Sequence, residues 1–386
     1  MKRVPSCSFL GHMPIIKIGN KSTKCRIVFL SNLSDKREIG SISHNQAMLS
    51  EPSLNQKLTT ALINLRFGKN LLCFDLKKAF LQIELPPEDQ QKLMFLWFKD
   101  PVGGDFTVEG YRNVRLSFGL RCSPTLLMIT LYKILILDVE TDSDHLRKLK
   151  RLIYSLTYMD NCAVSTDSSE ELFWAYEQLQ HVFGAYKFEL QQFCSNNAGM
   201  QKVLPIDDTV SGEESELFGL IWDKKNDSLS TKKKNLNENA DTKRKILKSI
   251  AENFDPYNYD GPIMNRARIF LHKLQLQKDL SWDKVISKEK KNEWRNISKQ
   301  VNEAKPMVVK RLFGSRDASY NFIAFCDSSK QMYGTTIYIQ NKTTKELNFV
   351  IAKNRMVTKQ LEDKSIPALE LMSAVLAAET LSLIHI

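Results

Sequence analysis

The 386 residues predict an α+β protein with room for two or three domains. Three observations carry that expectation. Short β-prone runs end in isolated acids: residues 71–74 lead into Asp75, and residues 152–157 and 162–166 flank the polar turn Tyr158-Met159-Asp160-Asn161 like the arms of a hairpin. Elsewhere apolar residues recur at helical spacing, as in Leu54, Leu58, Ala61, Leu62 and Leu65. Residues 311–386 then change character, to three strands followed by an apolar helix.

Composition narrows the partners. Lys plus Arg number 55 against 44 Asp plus Glu, a net charge of +11. A balance of that size suits nucleic acid or another anionic surface through attraction to phosphate, or a simply solubilising surface. Seven cysteines without a CxxC pair read as reduced core residues of a cytosolic or nuclear protein. Six histidines form no HExxH or Cys/His cluster, which argues against zinc. The most apolar run, residues 126–137, is interrupted by Lys133 and too short to span a bilayer, so the protein is expected to be soluble.

Taken in order, residues 13–30 alternate basic and apolar side chains, with residues 27–30 as a buried strand. Residues 53–67 form a packing helix that Gly68 stops. After Asp75, Leu76, Ala79, Phe80 and Ile83 follow a helical period. Residues 101–111 are rich in Gly and charge and read as a hairpin or loop; Gly119 and Ser123-Pro124 then announce a turn into an apolar helix. Residues 138–150 are charged and read as a loop. Leu172, Phe173, Tyr176, Leu179, Val182 and Phe183 share one helical face, capped by Ser168 or Ser169. Residues 188–215 look polar and irregular. Residues 216–222 form a strand with Gly219 inside it, the mark of a close backbone approach. Charge-rich stretches at 230–239 and 286–295 surround a helical segment, in which Lys232, Lys233 and Lys234 are either phosphate contacts or solvated charges.

Two acids at strand ends, Asp75 and Asp160, suit a hard divalent cation if their strands are neighbours. Each alone is an ordinary turn residue. The strings FDLKKAF, LSFGLRCSP and YMDN, in that order and at these separations, resemble the reverse transcriptase domain of LTR retrotransposons, with the BEL/Pao group the nearest likeness. KCRIVFLSN, SHNQAMLSEPSLNQ, LFGLIWD, FDPYNYDGPI and IPALELMSAV read like further landmarks of that group.

The resemblance implies a polymerase right hand of fingers, palm and thumb, with an antiparallel palm sheet and a truncated ribonuclease H-like α/β end. The implied divisions are 1–206 for fingers and palm, 207–310 for primer grip, thumb and connection, and 311–386 for the ribonuclease H-like part. It implies two Mg²⁺ ions, with Mn²⁺ as substitute, held by Asp75, Asp160 and the residue at 161. That residue is Asn161 where the family pairs aspartates; an amide oxygen can ligate but brings no charge. Arg26, helped by Lys24 or by Lys21 or Lys17, would grip the incoming triphosphate. Phe80 would lie under the sugar and exclude a ribose 2′-hydroxyl. Phe118 and Gly119 would contact the nucleotide, Ser123 and Pro124 the template, and Tyr158, Met159, Phe218 and Gly219 the primer end. Asp327 and Glu370 would be metal ligands of the ribonuclease H-like part, whose activity is not expected. The partners implied are an RNA template, a DNA or RNA primer and dNTPs, with no membrane, in the cytoplasm, within virus-like particles, or in the nucleus. A non-catalytic nucleic-acid-binding remnant is the alternative. No Asp-Thr/Ser-Gly string accompanies these motifs, so proteolysis is not expected.

Overall fold

A computed structural model describes residues 9–16, 25–34, 41–48, 57–210 and 212–384. Lys17, Lys21 and Lys24, and the start of the packing helix with Leu54, lie outside them. The architecture is a mixture of helices and sheets, organised into two compact units: residues 1–56, 74–162 and 175–191 form one, and residues 57–73, 163–174 and 192–386 the other.

One three-stranded sheet sets Asn70–Leu76 between Asn161–Thr166 and Leu190–Ser195. Burial along Asn70–Leu76 is nearly continuous, as expected for a central strand covered on both faces. Partners of the third strand descend as the first climbs. The Ser195 hydroxyl donates to the Leu71 carbonyl, the Gln191 amide to Asp75, and the Lys77 N–H to the Glu189 carbonyl, the pattern of antiparallel neighbours. The first unit contains the ends of these strands at 74–76, 161–162 and 190–191, together with the hairpins His12–Ile16/Cys25–Phe29 and Met94–Asp100/Asp105–Arg112. Leu10, Phe29, Leu85, Leu93, Leu116 and Leu120 form its apolar centre, with Phe80 and Phe95 packed against it.

In the second unit, Glu214–Leu217, Leu220–Asp223, Ser228–Thr231 and Val308–Lys310 form a four-stranded sheet in that spatial order. Helices Lys243–Ala251, Gly261–Gln275 and Lys288–Glu303 bury Ile246, Phe270, Leu274, Trp294 and Val301 in one core. The strands Tyr320–Ser328, Met332–Asn341 and Leu347–Met356 form an antiparallel meander that packs with helix Ile366–Leu381.

Several expectations are corrected. Residues 152–157 are not a hairpin arm, nor is 138–150 a loop throughout: Asp144–Ser155 is a helix, capped where the Ser143 hydroxyl accepts from the Leu146 N–H. Leu149 and Ile153 bury one face of it, so the helical period outweighs the β-propensity of Leu152, Ile153 and Tyr154. Cys25–Phe29 is a strand, but only its last residue is buried, because a two-stranded ribbon leaves both faces partly open. Residues 188–215 contain the buried strand Leu190–Ser195 and the helix Ala198–Val203. Residues 216–222 bend in the middle: Phe218 and Gly219, with φ of 49° and 87°, form the two-residue turn of a hairpin. A Cβ on Gly219 would also stand 2.7 Å from the Phe254 ring. The charged stretch 286–295 begins the helix Lys288–Glu303.

Candidate active site

The Asp160 turn is tight. Tyr158 and Asn161 exchange backbone hydrogen bonds of 2.9 and 3.2 Å, and Met159 between them holds a φ of 59°, which non-glycine residues seldom adopt outside over-determined sites. The Leu76 N–H donates to the Asp160 carbonyl at 3.0 Å, fastening this turn to the strand that carries Asp75. Two residues 85 positions apart in sequence are thereby brought to adjacent strand ends.

Their carboxyls feel each other. Burial, then the neighbouring Asp160 charge, pushes Asp75 up to about 7, while the Gln191 amide and the Arg26 guanidinium pull it back. Burial also raises Asp160, opposed by its own backbone hydrogen bond and by Arg26. Cys162, next along the strand and fully buried, is pushed up to about 12, by burial first and then by both carboxylates. The Asn161 side-chain N–H donates to Asp160 Oδ1 at 3.2 Å.

A wall of rings and one cation stands nearby. The Arg26 guanidinium carbon lies 4.5 Å from the centre of the Phe118 ring, and Phe118 meets Phe80 edge-on at 5.0 Å. Arg26 acts electrostatically on both Asp75 and Asp160, so this group of side chains forms one neighbourhood. The Phe118 carbonyl accepts from the Phe29 N–H at 3.0 Å. Gly119, at φ 102°, passes so close to Phe29 that a Cβ would stand 1.9 Å from its carbonyl oxygen, which only glycine permits. Asn45 secures the same loop: its amide donates to the Gly119 carbonyl at 3.0 Å, and its oxygen accepts from the Arg121 N–H at 2.8 Å.

Other expected contacts are placed differently. Ser123 is buried and gives its hydroxyl hydrogen to the Ser117 carbonyl at 2.7 Å, bracing the loop rather than facing a template; Pro124 beside it is half-buried. Phe218 is buried and Gly219 half-buried, so the turn offers backbone rather than an open ring. Lys232 pairs with Glu216 at 3.4 Å, and Lys233 bonds the carbonyls of Val301 and Ala304 at the end of helix Lys288–Glu303, which makes it a helix cap and not a phosphate contact. Asp327 and Glu370 are exposed rather than set in apolar surroundings. The Ser373 hydroxyl, one turn beyond Glu370, bonds the Asp327 and Gly334 carbonyls, and Asp327 borders a cavity of about 440 Å³ lined also by Asn258, Asn265, Phe325 and Asn354.

The donors at Asp75 and Asp160 fit a hard cation: two carboxylates whose mutual repulsion a positive ion would relieve, with an amide beside them. Among the described residues no three His, Cys, Asp or Glu side chains are grouped so as to hold a metal ion, so Asp75 and Asp160 have no third such ligand here. Sequence reasoning missed Gln191 and Asn45. The buried apolar run Leu190, Phe193 and Cys194 is the signal that could have placed Gln191 on a strand.

Residues 15–193 match the reverse transcriptase (RNA-dependent DNA polymerase) family, and residues 242–385 the Pao retrotransposon-like RNaseH-like domain. Among curated proteins no sequence matches the chain. Three solved structures of the foamy viral protease-reverse transcriptase are similar. Its dRH form in complex with double-stranded DNA has a TM-score of 0.63 at 14% identity, over 100% of this chain and 58% of that one. The complex with an RNA/DNA hybrid has 0.60 at 14%, over 97% and 43%, and a further double-stranded DNA complex has 0.60 at 16%, over 99% and 69%. The chain thus spans less than two thirds of the first of these relatives, and at such identities the likeness is one of fold. One family match covers the strands that carry Asp75 and Asp160, and the other the helices and meander from residue 242 on: a reverse transcriptase domain is followed by a Pao retrotransposon-like RNaseH-like domain.

Proposed function

We propose that the chain is an RNA-directed DNA polymerase of a Pao-like retrotransposon, extending a DNA or RNA primer on an RNA template with dNTPs. The observation that carries this reading is the meeting of Asp75 and Asp160 at adjacent strand ends, within the electrostatic reach of Arg26 and beside the Phe118–Phe80 pair. The net charge of +11 and the nucleic acid bound in the foamy viral complexes support the choice of partner.

Asp75 and Asp160 would hold two Mg²⁺ ions, with the Asn161 oxygen as a neutral helper if its amide turns. Magnesium bound there would supply positive charge to the primer end and the nucleotide phosphates. The chain's own groups do the rest. Arg26, held over the Phe118 ring, would offer planar donors to the triphosphate. Phe80 presents bulk where a 2′-hydroxyl would sit. The Met159 backbone, held at a φ of 59°, would bear on the primer end.

One observation favours the second reading, a nucleic-acid-binding remnant: position 161 brings no charge, and its amide is donated to Asp160 rather than presented as an oxygen. Extension of a DNA primer on an RNA template, in Mg²⁺ and in Mn²⁺ with Asp75→Asn as the blank, separates the two. Extension above the blank is expected. A folded protein that binds primer–template and extends nothing would make the remnant the better account.

A further inference from the structure

On the reading of Asp75 and Asp160 as metal ligands, we propose that Gln191 is a positioning residue that clasps one oxygen of Asp75 and so aims the other at the cation. Its side chain is 8% exposed, on a strand beside the one that carries Asp75, and its Nε2 donates to Asp75 Oδ2 at 2.9 Å. The adjacent glutamine, Gln192, is exposed, as the alternation of faces along a strand requires, so only one of two chemically identical side chains points inward. The reach is set by the main chain: the Lys77 N–H donates to the Glu189 carbonyl at 2.9 Å, pinning the two strands two residues from the clasp.

The second carboxylate also meets an amide, Asn161 Nδ2 on Asp160 Oδ1 at 3.2 Å, but that side chain is exposed and can turn its oxygen to an ion. Asp75 Oδ2 is held by the buried Gln191, and Oδ1 is the oxygen turned to coordination. A neutral clasp suits this position. A lysine would compete with the metal, and a third carboxylate in contact with Asp75 would add repulsion where burial already disfavours charge. A buried amide whose donor is committed also locks the carboxylate's rotation, the service that outer hydrogen bonds perform for ligating groups.

The test is Mn²⁺ binding to the full chain without nucleic acid, followed by electron paramagnetic resonance of the free ion, with Asp75→Asn as the reference for loss of the site. Gln191→Met keeps the side chain's length and removes the donor; it is expected to weaken Mn²⁺ binding about 10- to 100-fold. Gln191→Asn keeps an amide but shortens its reach, and is expected to lose as much, which covers the case in which the methionine variant does not fold. In primer extension both should need more Mg²⁺ while the KM for the primer–template stays put. Mn²⁺ affinity within threefold of wild type in either folded variant would overturn the proposal, as would a wild type with no Asp75-dependent Mn²⁺ site. Wild type that binds Mn²⁺ through Asp75 and Gln191 but extends no primer would refute the polymerase reading and leave the clasp standing.

Discussion

Asp75→Asn should abolish nucleotide addition and, without metal, stabilise the protein at alkaline pH. Burial and the Asp160 charge raise Asp75 from 3.8 to about 7 in the folded chain. A carboxyl with a raised folded value favours the fold while protonated. That stability is fully present below about 3.8, falls as pH rises through the interval, and is gone above about 7. The span, at about 1.4 kcal/mol per tenfold, amounts to about 4 kcal/mol as an upper bound. Asparagine carries no charge and pays none of it. Urea unfolding in EDTA at pH 5, 6, 7 and 8 reads the difference. At pH 5 wild type should already have lost about 1.7 kcal/mol of the span, and between pH 5 and pH 8 the variant should gain on it by about a further 2 to 3 kcal/mol. Mg²⁺ added at pH 8 should recover stability for wild type, by mass action, and do little for the variant. Parallel pH profiles would refute the reasoning, since they would mean that Asp75 ionises as freely in the folded chain as in the unfolded one.

Other outcomes follow from the same neighbourhood. Phe80→Ala should let rNTPs extend a primer more readily relative to dNTPs, by single-nucleotide incorporation; unchanged sugar selectivity would remove Phe80 as the gate. Phe118→Leu takes away the ring on which Arg26 rests, a contact of about 1 kcal/mol, and should raise the KM for dNTP about fivefold with little effect on primer binding. Asn161→Asp should lower the Mg²⁺ concentration needed for half-maximal extension, by restoring a negative ligand. Gly119→Ala should destabilise the first unit by more than about 3 kcal/mol in urea unfolding, because its Cβ would overlap the Phe29 carbonyl in a left-handed backbone.

The sequence by itself determined what depends on local pattern and on motif. The strand into Asp75, the helix Ser169–Ala185 with its Ser168 cap, the chain reversal at the start of 101–111 and the strands-then-helix end are all legible because periodicity, capping and turn chemistry act within a few residues. The acids themselves were visible through the strings around them. Tertiary structure decided whatever required a partner distant along the chain. Residues 152–155 favour strand by composition, yet the core receives Leu149 and Ile153 on one helical face. Ser123 and Phe218 look like surface contacts in a motif, but burial turns one to the Ser117 carbonyl and the other into the core. Gln191 and Gln192 are indistinguishable as letters; the register of the strand in its sheet decides which is the buried clasp and which the exposed side chain. The ionisation of Asp75 belongs wholly to the fold, because desolvation and a like charge from a residue 85 positions away exist only once the strands have met.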